Sequence, residues 1–213
     1  MMKIVIGLFL LINLMAAGEE NQWKQVRNRN GIKVYNRRIE GIDFKEFMGE
    51  VEIEATLSTL LAIFNDVEKG TQWVENVDHM ENIERIDYFE NYTYSYSKAP
   101  WPVKDRDAVV HNKISQNEED KVITIVQTGA PYKRSLEKKA VRVEKLQSKW
   151  VFTPIDDKVV HVRYQVLTDP GGKLPAWLIN AVSVSQPYET LLGLRDIAAT
   201  EDYKDIKLEY IKD

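Results

Sequence analysis

The sequence contains no cysteine. That excludes disulfides, cysteine-ligated metal, thiol catalysis and a lipoprotein lipidation site, and it leaves the redox compartment open. Histidine is nearly as scarce. His79, His111 and His161 stand far apart with no H-x-H or H-x3-H spacing, so no metal site is expected. An excess of one charge is also lacking: 29 Lys and Arg are interleaved with 33 Asp and Glu for a net charge of −4, which argues against a nucleic-acid partner. No internal repeat, linker or low-complexity stretch interrupts the 213 residues, a length that suits one domain with a real core.

Long apolar runs are missing except at the start. Lys3 precedes Ile4 to Met15, broken by Gly7 and Asn13, and then come Ala16-Ala17-Gly18 and Glu19-Glu20. A positive start, an apolar core too short to span a bilayer and small residues before an acidic pair read as a secretory signal peptide. The expected organisation is therefore a signal peptide over 1–18, cleaved after Ala17 or Gly18, and one domain over 19–213. Such a protein is periplasmic or secreted.

The rest of the chain is organised around Asp169 to Arg195. Asp169-Pro170-Gly171-Gly172 is a turn, and a long helix follows with Pro175 in its first turn. Trp177, Ala181, Val184 and Tyr188 form one apolar row, and Leu174, Leu178 and Val182 form another. A helix apolar on more than one stripe must be enclosed over most of its circumference. Nearly everything between 32 and 168 reads as strands, so the expected fold is α+β, a curved antiparallel sheet wrapped around this helix.

Taken in order, 19–28 reads as a short polar helix and 32–39 as a strand. From Phe44 to Ala55 the alternation is clear, with Phe47, Gly49, Val51 and Ile53 facing inward and Glu46, Glu50, Glu52 and Glu54 facing water. A helix follows over 57–67, then a short helix or turn at 73–77. Strands are expected at 79–88, 90–98, 106–116, 120–129, 140–155 and 158–168, paired antiparallel through polar turns. Two connections, 99–105 and 130–139, are not tight hairpins. The second carries Lys133, Arg134, Lys138 and Lys139, expected to be a solvated basic loop.

Trp23, Gly31-Ile32-Lys33-Val34-Tyr35, the stretch PWPVKDRD at 100–107, and Asp169-Pro170-Gly171-Gly172 followed by Leu174-Pro175-Ala176-Trp177-Leu178-Ile179-Asn180 together resemble the START domain, the StAR-related lipid-transfer module. The likeness is nearest to its phosphatidylcholine-transfer-like branch, in an exported bacterial form, and runs the length of the chain after the signal. It implies the helix-grip fold of about nine strands around a tunnel, and the non-catalytic binding and transfer of one lipid or hydrophobic small molecule. It also implies transient membrane contact by a protein expected to work as a monomer. No cofactor, metal or catalytic residue is expected.

On the strand 106–114 the resemblance points Ala108, Val110, Asn112 and Ile114 into the tunnel. It points Ser95 and Ser97 there from the preceding strand, although pattern alone would bury Tyr92, Tyr94 and Tyr96 instead. From the helix, Trp177, Asn180, Ala181 and Val184 join them. Several family members carry a tunnel Arg six residues after the motif Arg, whereas here that position is Asn112, an uncharged donor and acceptor. Arg106 and Asp107 are expected to tie the loop 99–105 to the sheet. The gate is expected at Trp101, between two prolines, and at Pro187, which removes a helical N–H and frees the carbonyl of Ser183.

Two other classes stay open: an aromatase/cyclase-type enzyme on the same fold, and a lipid-responsive sensor. A cyclase needs several polar or ionisable groups pointing inward. Asp107 and His111, at i and i+4 of a strand, would stand about 13 Å apart, too far for a general-base couple.

Overall fold

A computed structural model describes residues 21–213 apart from 173 and 175, with 176–183 described as backbone only. The first residues in view form a hairpin. Strand β1 (Lys24–Arg29) pairs antiparallel with β2 (Ile32–Arg38), turning through Asn30 and Gly31 at φ of 53° and 76°. Two successive left-handed residues give the hairpin turn that matches the twist of the strands. The polar helix expected over 19–28 is thus a strand from Lys24 onward. Pairing with β2 overrides a sequence with no clear period, and Trp23 lies beneath the Arg37 guanidinium at 4.5 Å.

Strand β3 (Lys45–Glu54) alternates as the sequence predicts at Phe47, Gly49, Val51 and Ile53, and Glu46 is on the outer face as expected but is buried there instead of facing water. Its carboxylate accepts from Arg37 Nε at 2.5 Å and from Gln165, so it is paired rather than hydrated. Helix α1 (Leu57–Asn65) is capped by Thr56, whose Oγ1 accepts from the Thr59 N–H at 3.1 Å, and it buries Leu57, Leu60, Leu61 and Ile63. A 3-10 turn (Val67–Gln72) leads to β4 (Val77–Arg85); the helical turn expected at 73–77 lies earlier in the chain.

The remaining strands are β5 (Glu90–Ser97), β6 (Asp105–Gln116), β7 (Ile123–Gly129), β8 (Ala140–Val143), β9 (Lys145–Pro154) and β10 (Val159–Asp169), and helix α2 (Ala176–Ala198) closes the chain. One ten-stranded sheet runs in the order β1-β2-β3-β10-β9-β7-β6-β5-β4, with β8 beside β6. Antiparallel pairing of β10 with β3 sets the first three strands beside the last one.

The strand expected over 140–155 is two strands. β8 runs parallel to β6, Asp105 opposite Ala140 and Asp107 opposite Arg142, which departs from the all-antiparallel expectation. It takes over the edge of β6 where β7 leaves off, and the chain then shifts to β9. That crossing is tight: a Cβ on Gly129 would stand 2.9 Å from the Glu144 carbonyl oxygen.

Helix α2 fills the concave side. Tyr188, Leu191, Leu194 and Ile197 are buried in one core with Val51, Ile53, Val162 and Phe152. Gly49 permits the approach, since a Cβ there would meet Leu191 Cδ1 at 2.5 Å and Pro187 Cβ at 3.6 Å. Each CH2 removed from water in this core contributes roughly 0.8 kcal/mol.

Candidate functional site: a cavity under the grip

The core does not fill the grip. Between the helix and the inner faces of β5, β6, β7, β9 and β10 lies a cavity of about 550 Å3. Alternation along two strands makes the space. On β5 the inward residues are Asn91, Thr93, Ser95 and Ser97, and on β6 they are Arg106, Ala108, Val110 and Asn112. Small side chains on a concave wall leave volume that larger ones would occupy. Phe64, Trp73, Trp150 and Tyr164 give the wall an aromatic section, with Trp150 stacked on Tyr164 at 3.9 Å and edge-on to Trp73 at 5.9 Å.

Across the wall runs a rung of directly opposed polar residues: Asn91 on β5, Asn112 on β6, Gln127 on β7 and Ser148 on β9. Its hydrogen bonds have a fixed direction. The Trp150 indole can only donate, and its Nε1–H reaches Gln127 Oε1 at 3.0 Å, where Ser148 Oγ also donates at 3.0 Å. Gln127 Nε2 must then donate, to Asn112 Oδ1 at 2.8 Å. Asn112 Nδ2 in turn donates to Asn91 Oδ1 at 2.8 Å and Thr93 Oγ1 at 3.1 Å, and Asn91 passes the chain to Asn82 at 2.9 Å. Asn112 therefore stands in the cavity wall, buried and held, and no charge lies in the rung.

The charges lie at the other end. Arg106 forks across the mouth, with Nε donating to the Pro170 carbonyl at 3.2 Å, Nη2 to that of Gly171 at 3.0 Å, and Nη1 to that of Lys104. It joins the loop 99–105 to the turn before α2, where Gly171 and Gly172 hold φ of 65° and 66°. Partial burial lowers its basicity from the ordinary guanidinium value. Asp105 fixes the loop from the other side, accepting the Ala99 N–H at 2.9 Å and the Tyr96 hydroxyl at 2.5 Å. Those bonds hold the Asp105 carboxyl below its usual range and push the Tyr96 phenol up to about 12. At the loop tip Trp101 is 91% exposed.

Asp107 points outward and accepts two bonds from Arg142, Nε at 3.0 Å and Nη2 at 2.8 Å, with both side chains buried. Arg142 also donates to the carbonyls of Pro131, Arg134 and Ser135, which clamps the loop 130–139 onto the outer face. Lys133 lies over Tyr92 and pairs with Glu84 at 2.8 Å, while Arg134 lies over Tyr94 and pairs with Glu81. Half of the basic cluster is thus bound to the sheet rather than solvated.

Of the residues predicted to line a tunnel, Ser95, Ser97, Ala108, Val110 and Asn112 are in the cavity wall. Ile114 is not. It lies beyond the rung, opposite Ile125 and packed in the solid core, because aromatic side chains fill the grip at that depth. Val184 is half-buried and outside the wall, where α2 contributes Gln186 and Thr190. The side chains of Trp177, Asn180 and Ala181 lie outside the described residues, as does Pro175. Pro187 is buried against β3. Gln127, Ser148, Trp150 and Arg142 were missed by the sequence reading. The only signal for the first three is a polar or amphipathic residue within a strand, and it gains meaning only once the register is known. Among the described residues, no group of three or more His, Asp or Glu is arranged to hold a metal.

A curved sheet gripping a helix over a cavity with one polar rung defines the helix-grip fold. A family model described as the START domain matches residues 10–191. The chain belongs to that family. An uncharacterized protein of Pseudomonas aeruginosa is 34% identical over 176 residues, covering 83% of this chain and 86% of its own. The human START domain-containing protein 10 is 22% identical over 166 residues, which is 76% of this chain and 56% of the human one. Among solved structures, a STAR-related lipid transfer protein from Xanthomonas axonopodis superposes with a TM-score of 0.77 at 34% identity, covering 84% of this chain and 99% of that one. Human STARD10, at 0.74 and 19% identity over 89% of this chain and 79% of its own, shares the fold.

Proposed function

We propose that this chain carries one lipid or other hydrophobic small molecule in the cavity and exchanges it with membranes without changing it. The observation that carries this reading is the cavity of about 550 Å3, walled by small and apolar side chains and entered beside a tethered loop. A lipid chain drawn from a bilayer into water loses about 0.8 kcal/mol per methylene, and an apolar cavity removes that loss. The relative from Xanthomonas axonopodis, described as a lipid transfer protein, supports the same reading at 34% identity.

The gate, in this reading, is the loop 99–105 with α2. Trp101, 91% exposed between two prolines, offers an amphipathic ring to a membrane interface during transient contact. Pro187 divides α2 at the point where the missing N–H makes separating its halves least costly. The motif series Trp23, 31–35, 100–107, 169–172 and 174–180 supports a place in the phosphatidylcholine-transfer-like branch. Export through residues 1–18 puts the carrier in the periplasm or outside the cell, working as a monomer.

Native mass spectrometry of the full sequence expressed in a Gram-negative host tests this directly. The expected species is a periplasmic monomer starting at Gly18 or Glu19 with one lipid mass bound. An intact Met1 on a cytosolic product removes the export claim, and a folded protein that stays empty after incubation with lipid vesicles removes the carrier claim. In vesicle-to-vesicle transfer, Pro187→Ala should slow exchange severalfold without changing the amount bound; unchanged kinetics would leave Pro187 as a shape feature.

A further inference from the structure

Resting on the carrier reading, we infer that the cargo is a lipid that enters with an uncharged hydroxyl or carbonyl leading. A phosphate-headed or carboxylate-headed lipid is disfavoured. The charge and the hydrogen-bonding capacity of the polar rung carry this.

The polar rung is neutral, and its unused capacity is mixed. With the direction set by Trp150, the bonds described leave the Thr93 O–H and one N–H of Gln127 as donors. They leave a second lone pair on Asn112 Oδ1 and the lone pairs of Ser148 as acceptors. A hydroxyl, which both donates and accepts, or a carbonyl beside that N–H, matches this set. An anion finds no cation there. The cations that border the cavity are Arg106, Lys45 and Lys98; Arg106 is six residues along β6, about 20 Å from the rung, with three of its N–H groups given to carbonyls, and Lys98 pairs with Asp78. The Arg142 charge is neutralised by Asp107 on the outer face. An anion buried at the rung would lose its hydration without a partner, a cost of several kcal/mol.

The reverse orientation, with an apolar tail against the rung, strands the same donors and acceptors against hydrocarbon. The head therefore goes in first.

Uptake by the full-length protein from phosphatidylcholine vesicles distinguishes the head groups, with 1-hexadecanol, hexadecanoate and hexadecyl phosphate as probes of one chain length. Drawing each probe from a membrane normalises for its solubility. The expected result is at least a tenfold preference for the alcohol over either anion, with no stoichiometric uptake of phosphatidylcholine itself. Thr93→Val, which removes one hydroxyl and little volume, should cut the preference by about tenfold. Equal or better uptake of an anion, stoichiometric phosphatidylcholine, or a preference unaltered in Thr93→Val overturns this inference while leaving the carrier reading in place. A folded protein that takes up no probe and no lipid overturns both.

Discussion

The two faces of β5 and β6 show how one pair of strands serves as both a wall and a void. Inward stand Thr93, Ser95, Ser97, Ala108 and Val110, small and bordering open space. Outward stand Tyr92, Tyr94, Tyr96, Asp107, Val109 and His111, and every large side chain there has a partner. His111 stacks on Tyr92 at 4.3 Å, Arg134 and Lys133 cover two of the tyrosines, and Arg142 neutralises Asp107. A sheet bordering a cavity loses packing on one side. Here the other side supplies it, and the buried tyrosines and the inward hydroxyls are two parts of one solution.

The largest test is to remove the outer clamp. Arg142→Ala strands the Asp107 carboxylate, buried with its partner, and should destabilise the fold by about 3–5 kcal/mol in chemical denaturation. The paired change Asp107→Leu with Arg142→Leu should recover much of that loss, since no bare charge is left buried. Equal losses in the single and double variants would mean the loop 130–139 matters and the charge does not.

The sharpest comparison uses neighbouring valines of similar burial. Val109 is fully buried beside Tyr92, Tyr94 and Ala130; Val110 is 8% exposed and borders the cavity. Tryptophan at 109 overpacks a filled space and should cost about 1–3 kcal/mol or more. Tryptophan at 110 should cost less than about 1 kcal/mol and instead expel the cargo, read as lost lipid mass in a protein of nearly unchanged melting temperature. If Val110→Trp destabilises as much as Val109→Trp, the inner face is a core and the cavity assignment fails.

The sequence made some of this legible. The alternation from Phe47 to Ile53 and the multi-striped apolar helix announce a sheet gripping a helix, because each periodicity belongs to one element alone. What it left hidden depends on register. Asn91, Asn112, Gln127 and Ser148 lie up to 57 residues apart and form a rung only when four strands align. Arg142 reaches Asp107 through a parallel pairing that short polar turns do not suggest. Ile114 follows the same inward phase as Asn112, yet the cavity has already ended, because its depth is set by aromatic side chains from other elements. Phase along a strand says which way a residue points, not what it meets.

The smallest expected effect links the outer face to the mouth. The Tyr96 hydroxyl, the last of the tyrosine row, donates to Asp105 at 2.5 Å, and Asp105 accepts the Ala99 N–H at the start of the loop that carries Trp101. The Tyr96 hydrogen bond is the leading cause of the lowered Asp105 pKa. A carboxyl whose folded pKa lies below its ordinary 3.8 contributes its stabilisation in full above that value and loses it as pH falls through the lower folded one. The phenol is the mirror case. Raised from 10.0 to about 12, it keeps its contribution below pH 10 and loses it as the pH climbs through 12. The loop anchor should therefore hold across the neutral range and weaken at both extremes. Both groups are half-buried at the sheet edge and screened by solvent, so global stability should respond little. The readout is local: hydrogen-exchange protection at the Ala99 amide should fall severalfold below pH 3.8, and likewise at pH 7 in Tyr96→Phe, with the core amides of Val162 and Phe152 unaffected. If Ala99 keeps its protection in Tyr96→Phe, the tyrosine row packs the outer face only, and the mouth is held by Arg106 without its help.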